Sequence, residues 1–285
     1  MMSPMPTVVV PIFNAVEALD ACLASLERTL PRGSVVLLAD DASTDPRVAP
    51  LARGWAYRSA LDVRYVLREV NLGFPGNCNA AFAETGDADL VLLNSDAVVT
   101  QGWLAQIARC AASDARIASI TPWSNNAEIC SYPQLLEDNP PPQDADAIAE
   151  AAASLAPVYP ELPTAVGFCM YMRRAALRQI GAFDAETFGR GYGEENDWCR
   201  RAASFGWRNV LCDSAYVVHA GNASFGPLEL GPGGDNLRRL VARWPDYNEL
   251  VARFIMDDPL RALRQRLQDR VESLARSGPQ RDLFA

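Results

Sequence analysis

Four short apolar runs in the first hundred residues each stop on a polar or charged residue, with helix-patterned or turn-rich segments between them. The runs are TVVVPIF (7–13), SVVLLAD (34–40), LDVRYVL (61–67) and ADLVLLNSD (88–96). After the first, Val16, Leu19, Leu23, Leu26 and Leu30 recur at helical spacing. FPGNCNAAFAET (74–85) opens on Pro-Gly and continues as a helix, and another helix begins near Gly102. Strands alternating with helices predict an α/β fold with a mostly parallel sheet and right-handed crossovers. Ligands of such sheets bind beyond the carboxyl ends of the strands. Asn14, Asp40, Asp41 and Asp96 all fall at such ends.

The second half is less regular. Residues 133–163 are rich in Pro, Ala and acid and read as a loop around a short helix. TAVGFCMYMRR (164–174) reads as a strand, GYGEENDWCRRAASFGW (191–207) as a glycine loop leading into a helix, and 208–226 as short strands. From Pro227 the pattern is helical, with an amphipathic, charged stretch over 260–277. A domain over 1–226 is therefore expected, with a nucleotide-binding part over about 1–120 and an acceptor part over about 121–226, followed by a helical extension over 227–285. That extension can pack on the domain, mediate self-association or peripheral membrane contact, or join another module.

Composition removes several functions. The 285 residues carry a net charge of −9, against the basic footprint of a nucleic-acid binder. All 26 basic residues are Arg, so P-loop, Schiff-base and kinase-type lysine chemistry is impossible. His219 is the single histidine. Seven scattered Cys with no C-x-x-C pair suit free buried thiols in a reducing compartment. No apolar run approaches the roughly 20 residues of a membrane span, and the N-terminus shows no signal-peptide pattern. The expected location is cytoplasmic, with a peripheral position at the inner face of the membrane as the variant.

Each polar motif has an ordinary structural explanation. DDAST (40–44) suits an Asx turn or helix cap, and REVNLGFPGNCNAA (68–81) suits a turn. NSD (94–96) suits a turn, and acids in GEEND (193–197) complement a helix dipole. A lone His in VVHAG (217–221) is usually structural. Together, one hard carboxylate and one imidazole suit Mn²⁺ or Mg²⁺ bridging a diphosphate.

In order, these motifs resemble the inverting family 2 glycosyltransferases of GT-A fold, bacterial rhamnosyltransferase-like members included. VVVPIFN is similar to that family's opening strand, LLADDASTD to its nucleotide-binding DD-x-S-x-D, and NLGFPGNCNAAF to the following Asn/Gly segment. LLNSDAVV stands at the metal-binding D-x-D, GYGEENDWCRRA at the acidic segment that supplies the base, and VVHAGNASFG at the late His loop. The first acid of D-x-D is Asn94 here, and the base position holds Glu195 rather than Asp.

The resemblance implies a nucleotide diphosphate sugar as donor, dTDP- or UDP-linked, with Pro11, Phe13, Asn14, Asp41, Arg68, Asn71, Gly73, Asn79, Asn94 and Ser95 around the nucleotide. It implies Asp96 and His219 as ligands of Mn²⁺ or Mg²⁺, and Glu195 as general base. The acceptor would be a hydroxyl of a glycan, lipid-linked or protein-linked molecule in polysaccharide or glycoprotein assembly, near Trp123, Tyr192 and Glu194. Helical geometry bears on the base. Successive residues turn by about 100°, so Glu194, Glu195 and Asp197 cannot share one face. Glu194 precedes Trp198 by four and points toward the core, and Asp197 can pair with Arg200 or Arg201, which leaves Glu195 for the cleft. Two rivals differ in class: a non-catalytic nucleotide-sugar binding module, and a sugar nucleotidyltransferase. The second needs a Gly-rich basic loop after the first strand, and PIFNAVEAL has neither glycine nor basic residue.

Overall fold

Strand β1 (Thr7–Ile12) is buried along its whole length, as its unbroken apolar run demands of a strand covered on both faces. It pairs in parallel with β2 (Val35–Asp40) and β4 (Leu90–Leu93), and β2 pairs in parallel with β3 (Asp62–Leu67). Helices α1 (Val16–Thr29), α2 (Val48–Arg58) and α3 (Gly73–Glu84) make the crossovers. The computed structural model describes residues 5–221 and 234–277, and the 222–226 end of the expected strand region and the first residues of the helical extension lie outside them.

Beyond β4 the sheet changes direction. The NSD turn leads into β5 (Ala97–Val99) instead of extending β4 to residue 96 as expected. Then come α4 (Trp103–Ser113), β6 (Ile117–Trp123), a short 3₁₀ turn (Glu128–Cys130), α5 (Ala145–Ser154) and β7 (Cys169–Met172). Next are α6 (Arg174–Ile180), α7 (Ala185–Phe188), α8 (Glu194–Ser204) and β8 (Arg208–His219). Among the described residues the sheet has eight strands in the order β3-β2-β1-β4-β7-β6-β8-β5. Pairings β4–β7, β6–β7 and β5–β8 are antiparallel, and β6–β8 is parallel. The strand expected over 164–174 shrinks to 169–172 because 164–166 bond to side chains instead of a ladder. Ala165 N–H donates to Cys199 Sγ and Val166 N–H to Thr121 Oγ1. The short strands expected from 208 are one continuous strand to His219.

The C-terminal helices are α9 (Gly234–Arg243), α10 (Tyr247–Asp257) and α11 (Arg261–Ser277). Leu260 and Leu267 join the main core with β1, α1, α4 and α5, and Leu240 and Tyr247 form a smaller core with Phe188. The seven cysteines are free and buried. Among the described residues no helix is long and apolar enough to cross a membrane. Leu267 is 1% exposed. Leu267→Ala should cost about 2–5 kcal/mol of stability in urea unfolding, whereas a peripherally docked α11 would lose well under 1 kcal/mol.

Candidate functional site

A cleft of about 610 Å³ opens beyond the carboxyl ends of β1, β2 and β4. Pro11, Phe13, Asp41, Asn71, Gly73, Asn94, Ser95 and Asp96 line it, together with Gly189 and Arg190 from the loop before α8. The two aspartates of DDAST divide the work. Asp40 turns inward and accepts from Ser43 N–H at 2.9 Å and Tyr65 O–H at 2.6 Å. Asp41 faces the cleft and accepts from Leu72 N–H at 2.7 Å, while its own carbonyl accepts from the Asn71 amide at 3.0 Å. Burial raises the Asp41 pKa against those bonds. Gly73 closes the far wall at φ +73°, where a Cβ would lie 2.6 Å from Gly189 O, so the loop before α8 approaches only a glycine.

Three expected nucleotide residues lie outside the cleft lining and hold the protein instead. Asn14 Oδ1 accepts from the Thr44 and Asp45 amides at 2.8 and 2.9 Å and fixes the DDAST loop. Arg68 donates to Asn77 and Glu84. Asn79 pairs with both backbone groups of Phe183. Trp123 is corrected as well: it is 1% exposed within the main core, so neither face of its indole is open to a sugar.

The β5–β8 ladder sets Ala97 opposite His219 and so brings the imidazole to Asp96. His219 Nε2 stands 3.5 Å from Asp96 Oδ1. Its Nδ1 lies 2.7 Å from Asn126 O, and Phe168 stacks on the ring at 5.0 Å. With the proton on Nδ1 donated to that carbonyl, Nε2 presents its lone pair toward Asp96, the arrangement of a metal-ligating histidine. Burial pulls the His219 pKa down, and the Asp96 carboxylate and Asn126 carbonyl raise it by more. Among the described residues no group of three or more His, Cys, Asp or Glu is placed to hold a metal. The pair therefore suits a hard divalent cation only if a ligand completes its shell.

Across the cleft, α8 starts from a loop in which Gly189, Gly191, Tyr192 and Gly193 all have positive φ. Glu194 is 4% exposed with Oε2 buried and unpartnered, so it is not an open acceptor contact. Glu195 lies outside the cleft lining, against Gly167, where a Cβ would stand in ordinary contact 3.7 Å from Glu195 Cγ. Its Oε2 is also buried without a partner. Burial pushes the Glu195 pKa up to about 7, against the amides at the helix start and with help from Glu128. Burial and the neighbouring Glu195 hold Glu194 well above the carboxylate range. Asp197 is fully buried and paired with Arg201 at 2.8 Å, as its spacing predicts, and with Arg243 at 3.0 Å. Tyr192, half-buried, adjoins this acidic face.

Residues 7–181, more than half of the chain, match the family model described as Glycosyl transferase family 2. The chain belongs to that family, and its fold is GT-A. The N-acetylglucosaminyl-diphospho-decaprenol L-rhamnosyltransferase of Mycobacterium tuberculosis is 26% identical over 230 residues, covering 70% of this chain and 71% of that protein. Two solved structures share the fold. GalNAc-T7 with UDP, GalNAc and Mn²⁺ has a TM-score of 0.62 at 15% identity over 85% of this chain, which spans 49% of that one. Mannosyltransferase PcManGT from Pyrobaculum calidifontis, in complex with GDP-Man and Mn²⁺, has a TM-score of 0.57 at 16% identity, covering 96% and 76%. The chain is a glycosyltransferase.

The raised Glu195 pKa has a stability consequence. A carboxyl with pKa about 7 when folded and near 4.5 as its ordinary value holds its proton longer in the native state. Its ionisation therefore weakens folding progressively between those two values. Glu195→Gln should raise Tm by a few °C near about pH 8 and leave it unchanged near about pH 4. Equal shifts at both pH values would show that Glu195 is not held above its ordinary range.

Proposed function

We propose that the protein is an inverting glycosyltransferase using a UDP- or dTDP-sugar, with Glu195 as general base. The observation that carries this reading is a buried carboxylate with an unpartnered oxygen, facing Gly167 on the acceptor side of the same sheet end as Asp96 and His219. A base with a pKa near 7 combines ionisation at neutral pH with real proton affinity. Glu195 takes the proton of an acceptor hydroxyl as that oxygen bonds to the anomeric carbon and the nucleoside diphosphate leaves from the opposite face. Asp41 accepts from N3–H of uracil or thymine, with Pro11 and Phe13 against the base. The buried, unpartnered Asn94 Oδ1 accepts from a donor hydroxyl. Arg190, which sequence patterning gave no reason to single out, is the one cationic side chain in the cleft lining among the described residues and meets the diphosphate.

Asp96 and His219 would hold Mn²⁺ or Mg²⁺ against that diphosphate. The cation supplies charge stabilisation to the leaving group. The relative from M. tuberculosis is named for L-rhamnosyl transfer to a diphosphate-linked polyprenol sugar. Transfer of a deoxyhexose to a glycan or lipid-linked acceptor is the corresponding reading here.

Kinetics, calorimetry and NMR test it. Glu195→Gln should retain donor binding and lose at least ~10²-fold in nucleoside diphosphate release from UDP-glucose and dTDP-L-rhamnose. Wild-type activity should rise with pH through about 7 and then level. An inactive Asp197→Asn beside an active Glu195→Gln would identify the wrong carboxylate. In calorimetry with Mn²⁺, UDP and dTDP should bind more tightly than CDP or GDP, because an unmatched buried polar group costs about 1–3 kcal/mol. Mn²⁺ with UDP should broaden the single imidazole resonance, and Asp96→Ala should abolish that broadening. Tighter GDP binding, or an unbroadened His219, would remove the respective assignment.

A further inference from the structure

Two residues at the start of α8, Asn196 and Asp197, accept hydrogen bonds from residues that lie beyond the family match. No side chain hydrogen-bonds to Glu195 among the described residues, so its direction is set by its neighbours. Asn196 Oδ1 accepts from Thr164 Oγ1 at 2.8 Å and from Tyr247 O–H, on α10, at 2.7 Å. Asp197 Oδ1 accepts from Arg243 at 3.0 Å and from the Trp244 indole at 2.9 Å. Arg243 also reaches Asp184 Oδ2 at 2.7 Å, which bridges the start of α7 to α8.

The glycine loop is gripped from the same side. Asn236 donates its one amide group to Phe188 O at 2.9 Å and Gly191 O at 2.7 Å. A loop with four successive-region residues in left-handed conformations has little local preference for a single shape, and Tyr192 pays strain to be there. Phe188 O also accepts from Gly191 N–H at 3.0 Å, and Asn236 ties that turn to α9. Phe188, Leu240 and Tyr247 pack beneath it as a small core separate from the main one.

We propose that α9 and α10 form a clamp on the catalytic carboxylate, with Asn236, Arg243 and Tyr247 as positioning residues for Glu195. The inference rests on Glu195 being the base. Asn236 fixes the loop that precedes Glu195, and Tyr247 and Arg243 fix the two residues that follow it. A displacement of about 1 Å at a reacting group can cost on the order of 10²-fold in rate. The clamp therefore acts on turnover, while the nucleotide cleft takes only Ala185, Gly189 and Arg190 from this side and the rest of its lining from other elements.

The test uses the full chain with Tyr247→Phe, which keeps the ring, and Asn236→Ala. Leu267→Ala serves as a control that weakens the main core away from the site. Amide hydrogen exchange over 188–197 should quicken at least ~10-fold in both clamp variants and not in the control. The kcat for nucleoside diphosphate release from UDP-glucose or dTDP-L-rhamnose should fall ~10-fold or more in both, with the Kd for UDP and Mn²⁺ within about twofold of wild type in Tyr247→Phe, which leaves the loop carrying Arg190 in place. The acid limb of the pH–kcat profile should also move, since a loosened loop changes the burial that sets it. Unchanged exchange and kcat in both variants would overturn the clamp, as would an equal loss of kcat in Leu267→Ala. Wild-type turnover by Glu195→Gln would instead overturn the premise, the base assignment. The exchange measurement needs no substrate and so separates these two failures.

Discussion

The candidate site depends first on the pairing of β5 with β8. Strand β8 begins in parallel register with β6, crosses an irregularity beside Pro122 and Trp123, and ends antiparallel to β5. That path sets His219 opposite Ala97, one residue after Asp96. The carboxylate occupies the turn where the chain leaves β4 for β5. The imidazole arrives from a segment far along the chain. The ladder's register decides their meeting, because a one-residue slip would send every side chain of β8 to the opposite face. Asn125 secures the end of this ladder: its side chain accepts from His219 N–H and donates to His219 O.

Charge is arranged around that pair in an uneven way. The cleft lining holds Asp41 and Asp96 with Arg190 as its one cationic side chain among the described residues. Glu194, buried, and Glu195, half-buried, stand nearby, each with a buried unpartnered oxygen. Arginines that could neutralise them are committed elsewhere: Arg201 and Arg243 to Asp197, Arg68 to Glu84, Arg200 to Asp246. A surface so short of cations is unfavourable to a bare diphosphate. It suits one that carries its own divalent cation to the Asp96–His219 pair. The same shortage leaves Glu195 with no cation to lower its pKa, which is what a proton acceptor near neutrality requires.

How much of this was legible in the sequence varies with the kind of signal. Periodicity and turn residues placed β1 to β4, α1, α3 and α4 within a few residues, and left α2 (Val48–Arg58) unread. Helical spacing allowed Asp197 to pair with Arg200 or Arg201, and it pairs with Arg201 one turn on. Short polar side chains at strand ends were harder. Asn14, Asn79 and Asn71 share a composition and a setting, yet Asn14 and Asn79 spend their amides on distant backbone groups while Asn71 lines the cleft. A lone Asn that caps a remote loop looks the same in sequence as one that faces a ligand. Trp123 was ambiguous for the opposite reason, as large aromatics fill cores and line sugar sites alike. Arg190 and Asn236 gave no pattern; their roles arise from the meeting of the 188–193 loop with α3 and α9. The one cue was the spacing of Gly189, Gly191 and Gly193, which announces a loop that needs outside support.

That support has a consequence for where the functional unit ends. The family match stops at residue 181, before Glu195, His219 and the helices that follow. Packing does not stop there. Leu260 and Leu267 fill the main core with α5, and Tyr132 donates to Gln268 of α11. Phe188, at the end of α7, is covered by Leu240 and Tyr247. Removing the C-terminal helices would expose both cores and leave Asp197, fully buried, without the Arg243 and Trp244 donors. Arg201 alone would then pair with this buried carboxylate, a destabilising loss two residues from Glu195. Nucleotide recognition can be written in the first parallel strands. The start of α8, by contrast, is held by contacts that only the last helices of the chain supply.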